Sequence, residues 1–343
     1  MAYEVTIGLP VFNVEKYIRQ TMGSALAQTF PSIEYLICDD CGTDSSIAIL
    51  QELQRTHPRG KDIRFLKQPR NMGIGEGRNL IISEARGRYL YWLDADEIIT
   101  PDCIQLLYDT AQQHQAEIVY GSYERIFLKE NNRVEQYPYP HKVFTEPDSY
   151  AEYVYSHPIQ VMHWNALIAI DVLRRNHLKV APVGNGYGED FTFTVDLPTY
   201  ITRAVLLPNI TYQYLQIEKA EKIALKKLQR KLNRRYMDAA IEAIDQKKRR
   251  QELCNKRYYA NRCKTLLMYD LSFVYEILAR RNEAEPPYTN REIRAVMWQP
   301  MTLSEILRSQ HFRFYNLMAW FISKLSPSLA VAVLKLSKRL KHR

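Results

Sequence analysis

Arg88-Tyr89-Leu90-Tyr91-Trp92-Leu93-Asp94-Ala95-Asp96-Glu97 is an apolar and aromatic run that stops at three carboxylates in four residues. Strand-forming residues inside, with acids only at the carboxyl end, describe a central parallel strand carrying a site at its tip. Asp94 and Asp96 lie two apart, so on extended backbone both side chains leave the same face. Carboxylates converging on one point repel unless something positive lies between them, and a divalent cation meets that need. A solvated loop, or an acidic cap for a helix opened by Thr100-Pro101, is the plainer reading of the same residues. The flanking chain decides between them.

Upstream, Tyr3 to Leu9 alternates as a first strand that Pro10 ends, and Asn13 is placed to cap a helix with apolar positions Val14, Tyr17, Ile18, Met22, Ala25 and Leu26. A second strand, Ile33 to Cys38, runs into Asp39-Asp40-Cys41-Gly42-Thr43-Asp44, where Asp44 can cap the next helix. Ile63 to Leu66 is a short third strand. Asn71-Met72-Gly73-Ile74-Gly75-Glu76-Gly77-Arg78-Asn79 then opens a helix ending near Gly87, a fitting C′ glycine. Beyond the acids come a helix from Pro101 to about His114 and a strand at Glu117 to Tyr120.

This alternation with short turns predicts an α/β fold, a mostly parallel sheet covered on both faces. Ligands bind such sheets at the carboxyl ends of the strands. Phe12-Asn13, Asp39-Asp40, Asn71 to Asn79 and Asp94 to Asp96 all fall there. The glycines at 73, 75 and 77 have the wrong spacing and place for a dinucleotide fingerprint, which argues against a hydride-transferring dehydrogenase.

Residues 121–215 lose the strict alternation. Tyr137-Pro138-Tyr139-Pro140 is loop chemistry, Tyr150 to Tyr155 a short helix, and Trp164 to Ile170 an apolar strand or helix. His163 reads as an ordinary, partly buried histidine in preference to one that contacts an acceptor. Gly184-Asn185-Gly186-Tyr187-Gly188 is a hinge leading into Glu189-Asp190, and two acids at a helix start also favour the dipole on their own account.

The chain of 343 residues, 46% hydrophobic, can fill a core in two or three domains. Five cysteines, an odd number, fit a reducing compartment, and Cys38-x-x-Cys41 reads as core filler with no second pair beside it. Met1-Ala2-Tyr3-Glu4 runs straight into a strand, which argues against a secretory leader. Charge is divided: residues 1–217 hold 19 Lys/Arg against 26 Asp/Glu, and residues 218–343 hold 28 against 12. An anionic partner is expected for the second part. Residues 218–264 carry 16 bases and 6 acids at helical spacing, usually a solvated face. Phe312, Phe314, Leu317, Met318, Trp320, Phe321, Ile322 and Leu325 follow, then a polybasic end at Lys338 to Arg343. Uncharged stretches there reach ten residues, short of the roughly 20 a spanning helix needs, so helices lying in an anionic interface, or packed on the rest of the chain, are expected. A nucleic-acid partner is not expected, since no recognition module accompanies the charge.

Val5 to Asn13, Asp39 to Asp44, Asn71-x-Gly73-x4-Arg78-Asn79 and Asp94-Ala95-Asp96 together resemble, in order and spacing over about residues 1–125, the family 2 glycosyltransferases with the GT-A fold, of the bacterial capsule and cell-surface polysaccharide type. The resemblance implies inverting transfer of a sugar from a nucleotide diphosphate donor, usually UDP-linked, to a glycan or lipid-linked acceptor. It implies Mg²⁺ or Mn²⁺ at Asp96, the base held by Pro10, Phe12 and Asp40, and the ribose by Asp94. Asn13, Asn71, Gly73 and Ala95 complete the donor rim, and Arg78 supports the acids or the diphosphate. Glu189-Asp190 resembles the family's acceptor-side pair, with Asp190 the general base and Glu189 touching acceptor or donor. Cys41-Gly42 departs from the family's usual Gly-Ser, and Ala166 stands where lysine is common. The expected organisation is a donor half at 1–120, an acceptor half with the base at 121–217 and a basic helical tail at 218–343. A cytoplasmic location, peripheral on the membrane, follows. A catalytically silent sugar-nucleotide-binding scaffold and a nucleotidyltransferase are the rivals.

Overall fold

In the computed structural model the described residues are 3–146, 148–156, 163–180, 193, 195–216, 234–249, 259–267, 281–310, 312–330 and 332–333. The chain divides into two units, Met1–Ile223 and Ala224–Arg343.

In the first unit every residue of β1 (Val5–Val11) is buried. Strands β2 (Ile33–Asp39), β3 (Ile63–Lys67) and β4 (Tyr89–Trp92) extend it into a parallel sheet of order β3-β2-β1-β4. Alternation sends Val5, Ile7, Leu9 and Val11 to one core, with α1 (Ile18–Leu26), α2 (Ser46–Thr56) and α4 (Cys103–His114). Leu36, Leu90 and Trp92 share the opposite core with Ile81 and Ile82 of α3 (Ile74–Glu84). At Gly8 the helix comes so near that an added Cβ would sit 2.5 Å from Ile81 Cγ2.

The remaining strands are β5 (Ile98–Ile99), β6 (Ile118–Phe127), β7 (Arg133–Tyr137), β8 (Lys142–Phe144), β9 (Ala166–Ala169) and β10 (Ala204–Gln216). They continue the sheet as β4-β9-β6-β10-β5, with β7 on β6 and β8 on β10. Only β6 and β10 run parallel here; β9 is antiparallel to both β4 and β6. α5 (Ser149–Ser156) and α6 (Ile170–Arg175) pack on the second core. The strand expected at Glu117 to Tyr120 runs on to Phe127, because β10 offers β6 a partner that far.

Several local expectations need correction. Asn13 caps no helix: its φ is 53°, its Oδ1 accepts the Thr43 N–H at 2.8 Å, and α1 begins later, at Ile18. α3 ends at Glu84, so Gly87 is not its C′ glycine. It is glycine because β1 passes close by, and a Cβ would lie 2.6 Å from the Val5 carbonyl carbon. Instead of a helix opening at Pro101, β5 follows the acids and α4 begins at Cys103.

The second unit contains α7 (Arg234–Arg249), helical residues 259–267, α8 (Asn290–Val296), α9 (Leu303–Arg308) and α10 (Arg313–Lys324). Thr289 with Glu292 and Thr302 with Glu305 form reciprocal capping boxes at the starts of α8 and α9. The charge run is not wholly a solvated face. Lys248 is buried and donates to the carbonyls of Val296 at 2.8 Å and Trp298 at 3.2 Å.

Candidate active site

The carboxyl ends of β1, β2 and β4 and the start of α3 carry the site. β4 stops because the 94–97 segment folds into a turn, with Glu97 N–H donating to the Asp94 carbonyl at 3.1 Å. The two carboxylates therefore leave a turn, not the extended strand that the two-residue spacing suggested. They still act on each other: burial first, then the Asp94 charge, pushes the Asp96 carboxyl up to about 6. From α1, Thr21 donates to the Ala95 carbonyl at 3.1 Å and Gln28 to the Thr100 carbonyl at 2.7 Å, which fixes the turn from below.

Arg78, on α3, is 1% exposed, and its guanidinium donates to Asp94 Oδ1 at 2.8 Å. The arginine is buried, whereas the Asp94 side chain is 25% exposed, so removing Arg78 strands a carboxylate that water still reaches. Arg78→Ala is expected to lower unfolding free energy by about 2 kcal/mol in urea titration. Loss below about 0.5 kcal/mol, the scale of an exposed pair, would show that the pair does not hold the turn.

Asp40 closes the neighbouring edge. Its two oxygens accept the N–H groups of Met72 at 2.7 Å and Gly73 at 3.0 Å. Burial raises its carboxyl above the ordinary range; those bonds oppose the shift and Asp39 adds to it. Gly73 has φ 90°, a conformation that favours glycine, so Asp40 and Gly73 together set the turn that starts α3. Asn71 is exposed just before it. Pro10 is buried in β1, whereas Phe12 is 44% exposed on the rim. Asn13 acts through the 41–44 loop, as its bond to Thr43 shows. Cys38 is buried with its thiol pushed up to about 12, chiefly by burial, and Cys41 Sγ meets the Gln68 carbonyl at 3.2 Å. These are packing roles.

The structure thus brings Asp40, Asn71, Gly73, Arg78, Asp94, Ala95 and Asp96 to one rim, with Pro10, Phe12 and Asn13 at the end of β1. Glu189 and Asp190 lie outside the described residues; the nearest described residues before and after them, Val180 and Phe193, contact α3 and β4. Asn79, next to Arg78, exchanges two hydrogen bonds with the backbone of Val180, at 2.8 and 2.9 Å. Phe193 packs edge-on against Trp92, two residues before Asp94, with ring centroids 5.5 Å apart.

Other residues enter without having been singled out for a role. Glu97 turns away from its two neighbours, is 3% exposed and accepts the Leu215 N–H of β10 at 2.6 Å. Burial, with the charge of Asp96, holds it well above the ordinary range. β10 also brings Tyr212 and Tyr214 near the acids. Tyr214 is pushed up to about 12 by burial and then by Glu97, Asp96 and Asp94. Trp164 stacks obliquely on Tyr212 at 4.8 Å, and Arg125 lies 4.9 Å over the Tyr137 ring and 5.6 Å over Tyr214. Asn165 joins β6 to β10, donating to the Gly121 carbonyl and accepting from Thr211 at 3.1 Å. The density of tyrosine and tryptophan in these segments was the available signal.

The donor set suits a hard cation, within limits. Asp94 and Asp96 are crowded and partly desolvated, and Arg78 takes one Asp94 oxygen. Among the described residues no group of three acids, histidines or cysteines could enclose a metal. A cation here would draw most of its ligands from water and a bound anion, the way Mg²⁺ is held beside phosphates.

Comparison with known proteins agrees with this geometry. Residues 6–171 match the profile of glycosyl transferase family 2. A 105-residue segment, 31% of the chain, is 42% identical to the chondroitin synthase of Escherichia coli, but spans only 15% of that protein. The S. aureus TarS 1–349 structure in complex with UDP-GlcNAc superposes with a TM-score of 0.63 at 15% identity, over 94% of this chain and 90% of that one. The mannosyltransferase PcManGT of Pyrobaculum calidifontis, in complex with GDP-Man and Mn²⁺, gives 0.54 at 13% identity, over 98% and 88%. Those two likenesses establish the fold, a Rossmann-like GT-A arrangement with a helical C-terminal region.

Proposed function

Because residues 6–171 match glycosyl transferase family 2, we propose that the chain moves a sugar from a UDP-sugar to a hydroxyl of a glycan or lipid-linked glycan, inverting the anomeric carbon. The observation that carries the reading is the tip of β4. Two crowded carboxylates, one tied to a buried arginine, sit beside Asp40 and the glycine-started helix α3. An acidic rim is a poor place for a free anion and a good one for an anion that arrives with a cation.

In this reading Phe12 and Asp40 receive the base and Asp94 the ribose, with Arg78 fixing the Asp94 carboxylate. Asp96 would hold Mg²⁺ or Mn²⁺, which when bound neutralises the charge that collects on the leaving diphosphate. As the acceptor oxygen forms its bond to the anomeric carbon, that carbon's bond to the diphosphate oxygen breaks and the electron pair leaves with the diphosphate. The acceptor proton passes to Asp190, with Glu189 beside it. The placement of Val180 and Phe193 against α3 and β4 supports bringing those acids to the reacting carbon. The UDP-GlcNAc bound by TarS favours UDP, the Mn²⁺ complex of the mannosyltransferase favours a metal, and chondroitin synthase favours a polysaccharide acceptor. We place the reaction at the cytoplasmic side of a membrane.

A panel of UDP- and GDP-sugars with and without Mn²⁺, read by thermal unfolding, tests the reading. One UDP-sugar with the metal is expected to raise the midpoint, with binding falling at least tenfold when the metal is chelated. Pyrophosphate release from a nucleoside triphosphate, in place of UDP release from a UDP-sugar, would give the site to a nucleotidyltransferase.

A further inference from the structure

We propose that the exposed apolar face of α10, with the leucines of α9 beside it, is a docking surface for an anionic lipid bilayer. One side of α10 is committed to its own unit. Asn316, Ala319 and Ile322 are buried there, and the Asn316 side-chain amide donates to the Ala260 carbonyl at 3.0 Å. On the opposite side Phe314 is 74% exposed and Phe321 57%. Seven residues apart, the two rings stand in one line two turns long. α9 packs next to α10 and shows Leu303 and Leu307, the latter 52% exposed, and Leu329 lies open just beyond. A helix of a soluble protein turns polar residues to water, and exposed apolar side chains grouped this way mark an interaction surface.

Charge selects the occupant. From Ile306 to Arg343 the sequence holds eight Lys/Arg and no Asp/Glu. Arg308, Arg313 and Lys324, all exposed, stand at the ends of the two helices. A second copy docked face to face would bring these bases against their own kind. An anionic bilayer accepts both features: apolar rings enter the acyl boundary while the bases meet headgroups. Among the described residues no helix is long and apolar enough to cross a membrane, so the face lies along the surface. Removing residues 312–343 would confound packing with membrane binding, because it also removes Asn316 and Ile322 from their packing.

The test is flotation of the full chain with phosphatidylcholine vesicles that contain or lack phosphatidylglycerol. The native chain is expected to float with the anionic vesicles only. Phe314→Ser/Phe321→Ser is expected to lower partitioning about a hundredfold, at an unchanged unfolding midpoint. Phe314→Leu/Phe321→Leu should retain binding within about threefold, since it keeps most of the apolar area. Failure of the native chain to float, or equal flotation of the serine variant, overturns the proposal. So does a dimer that the serine variant dissolves, which would give the face to a second copy. Flotation needs no donor and no turnover, so its outcome is separate from that of the site.

Discussion

Asp190→Asn is expected to leave donor affinity within about twofold of the native chain and to cut transfer by roughly a thousandfold, the range a positioned general base supplies. An amide of the same shape keeps the size of the side chain but cannot accept the proton that the attacking hydroxyl must lose. The donor rim is untouched, because Asp40, Arg78, Asp94 and Asp96 reach the site from β2, α3 and the turn after β4. Donor affinity by calorimetry and single-turnover transfer measure the two halves separately. The acidic limb of the native rate profile should vanish along with most of the rate. Full transfer by the variant would remove Asp190 from the mechanism, and lost donor binding would move it to the donor rim.

The second large effect is at Asp96. Asp96→Asn is expected to abolish metal-supported donor binding, a loss of at least about a hundredfold, because few protein carboxylates share the cation and neither is redundant. The same change is expected to stabilise the ligand-free protein at neutral pH. The native fold raises this carboxyl from 3.8 to about 6, through burial and the charge of Asp94, so the folded form holds its proton more tightly than the unfolded form. Stability therefore falls as pH rises from about 4 to about 6 and is flat above. A shift of that size corresponds to roughly 3 kcal/mol, and screening at a partly exposed rim reduces it to about 1–2 kcal/mol. Asparagine removes both the charge and the slope, and Mn²⁺ should recover part of the loss in the native chain only. Chemical denaturation at several pH values reads this. A native chain whose stability is level across the window would show that burial and the Asp94 charge do not together raise Asp96 in solution.

Much of the site could be read along the chain because its parts are local. Asp39-Asp40, Asn71 to Asn79 and Asp94 to Asp96 each follow a strand within a few residues, and parallel strands bring their carboxyl ends to one edge whatever the intervening lengths. The alternation read from Tyr3 to Leu9 matches Ile7 and Leu9 entering one core, although Pro10 does not end the strand, since β1 pairs on β2 as far as Val11. The parallel first half of the sheet followed from the same strand-and-turn order, and the likeness to family 2 glycosyltransferases from four motifs taken together.

Tertiary structure alone decided the rest, where a residue's role depends on a partner far away in sequence. Nothing local reveals that Asp40 would bind the backbone of Met72 and Gly73, or that Glu97 would leave its neighbours for Leu215 on β10, 118 residues on. Asn13 looked like a cap because asparagine often is one, yet the loop at Thr43 claimed its oxygen. Gly87 looked like a helix terminator, although the reason for it is the backbone of β1 passing alongside. The face of α10 shows the same division. Its composition announced an amphipathic helix, but only packing on Ala260 determined which residues were buried and left Phe314 and Phe321 to the outside. Periodicity fixes what a segment can bury, and which surface is there to bury it is a property of the folded chain.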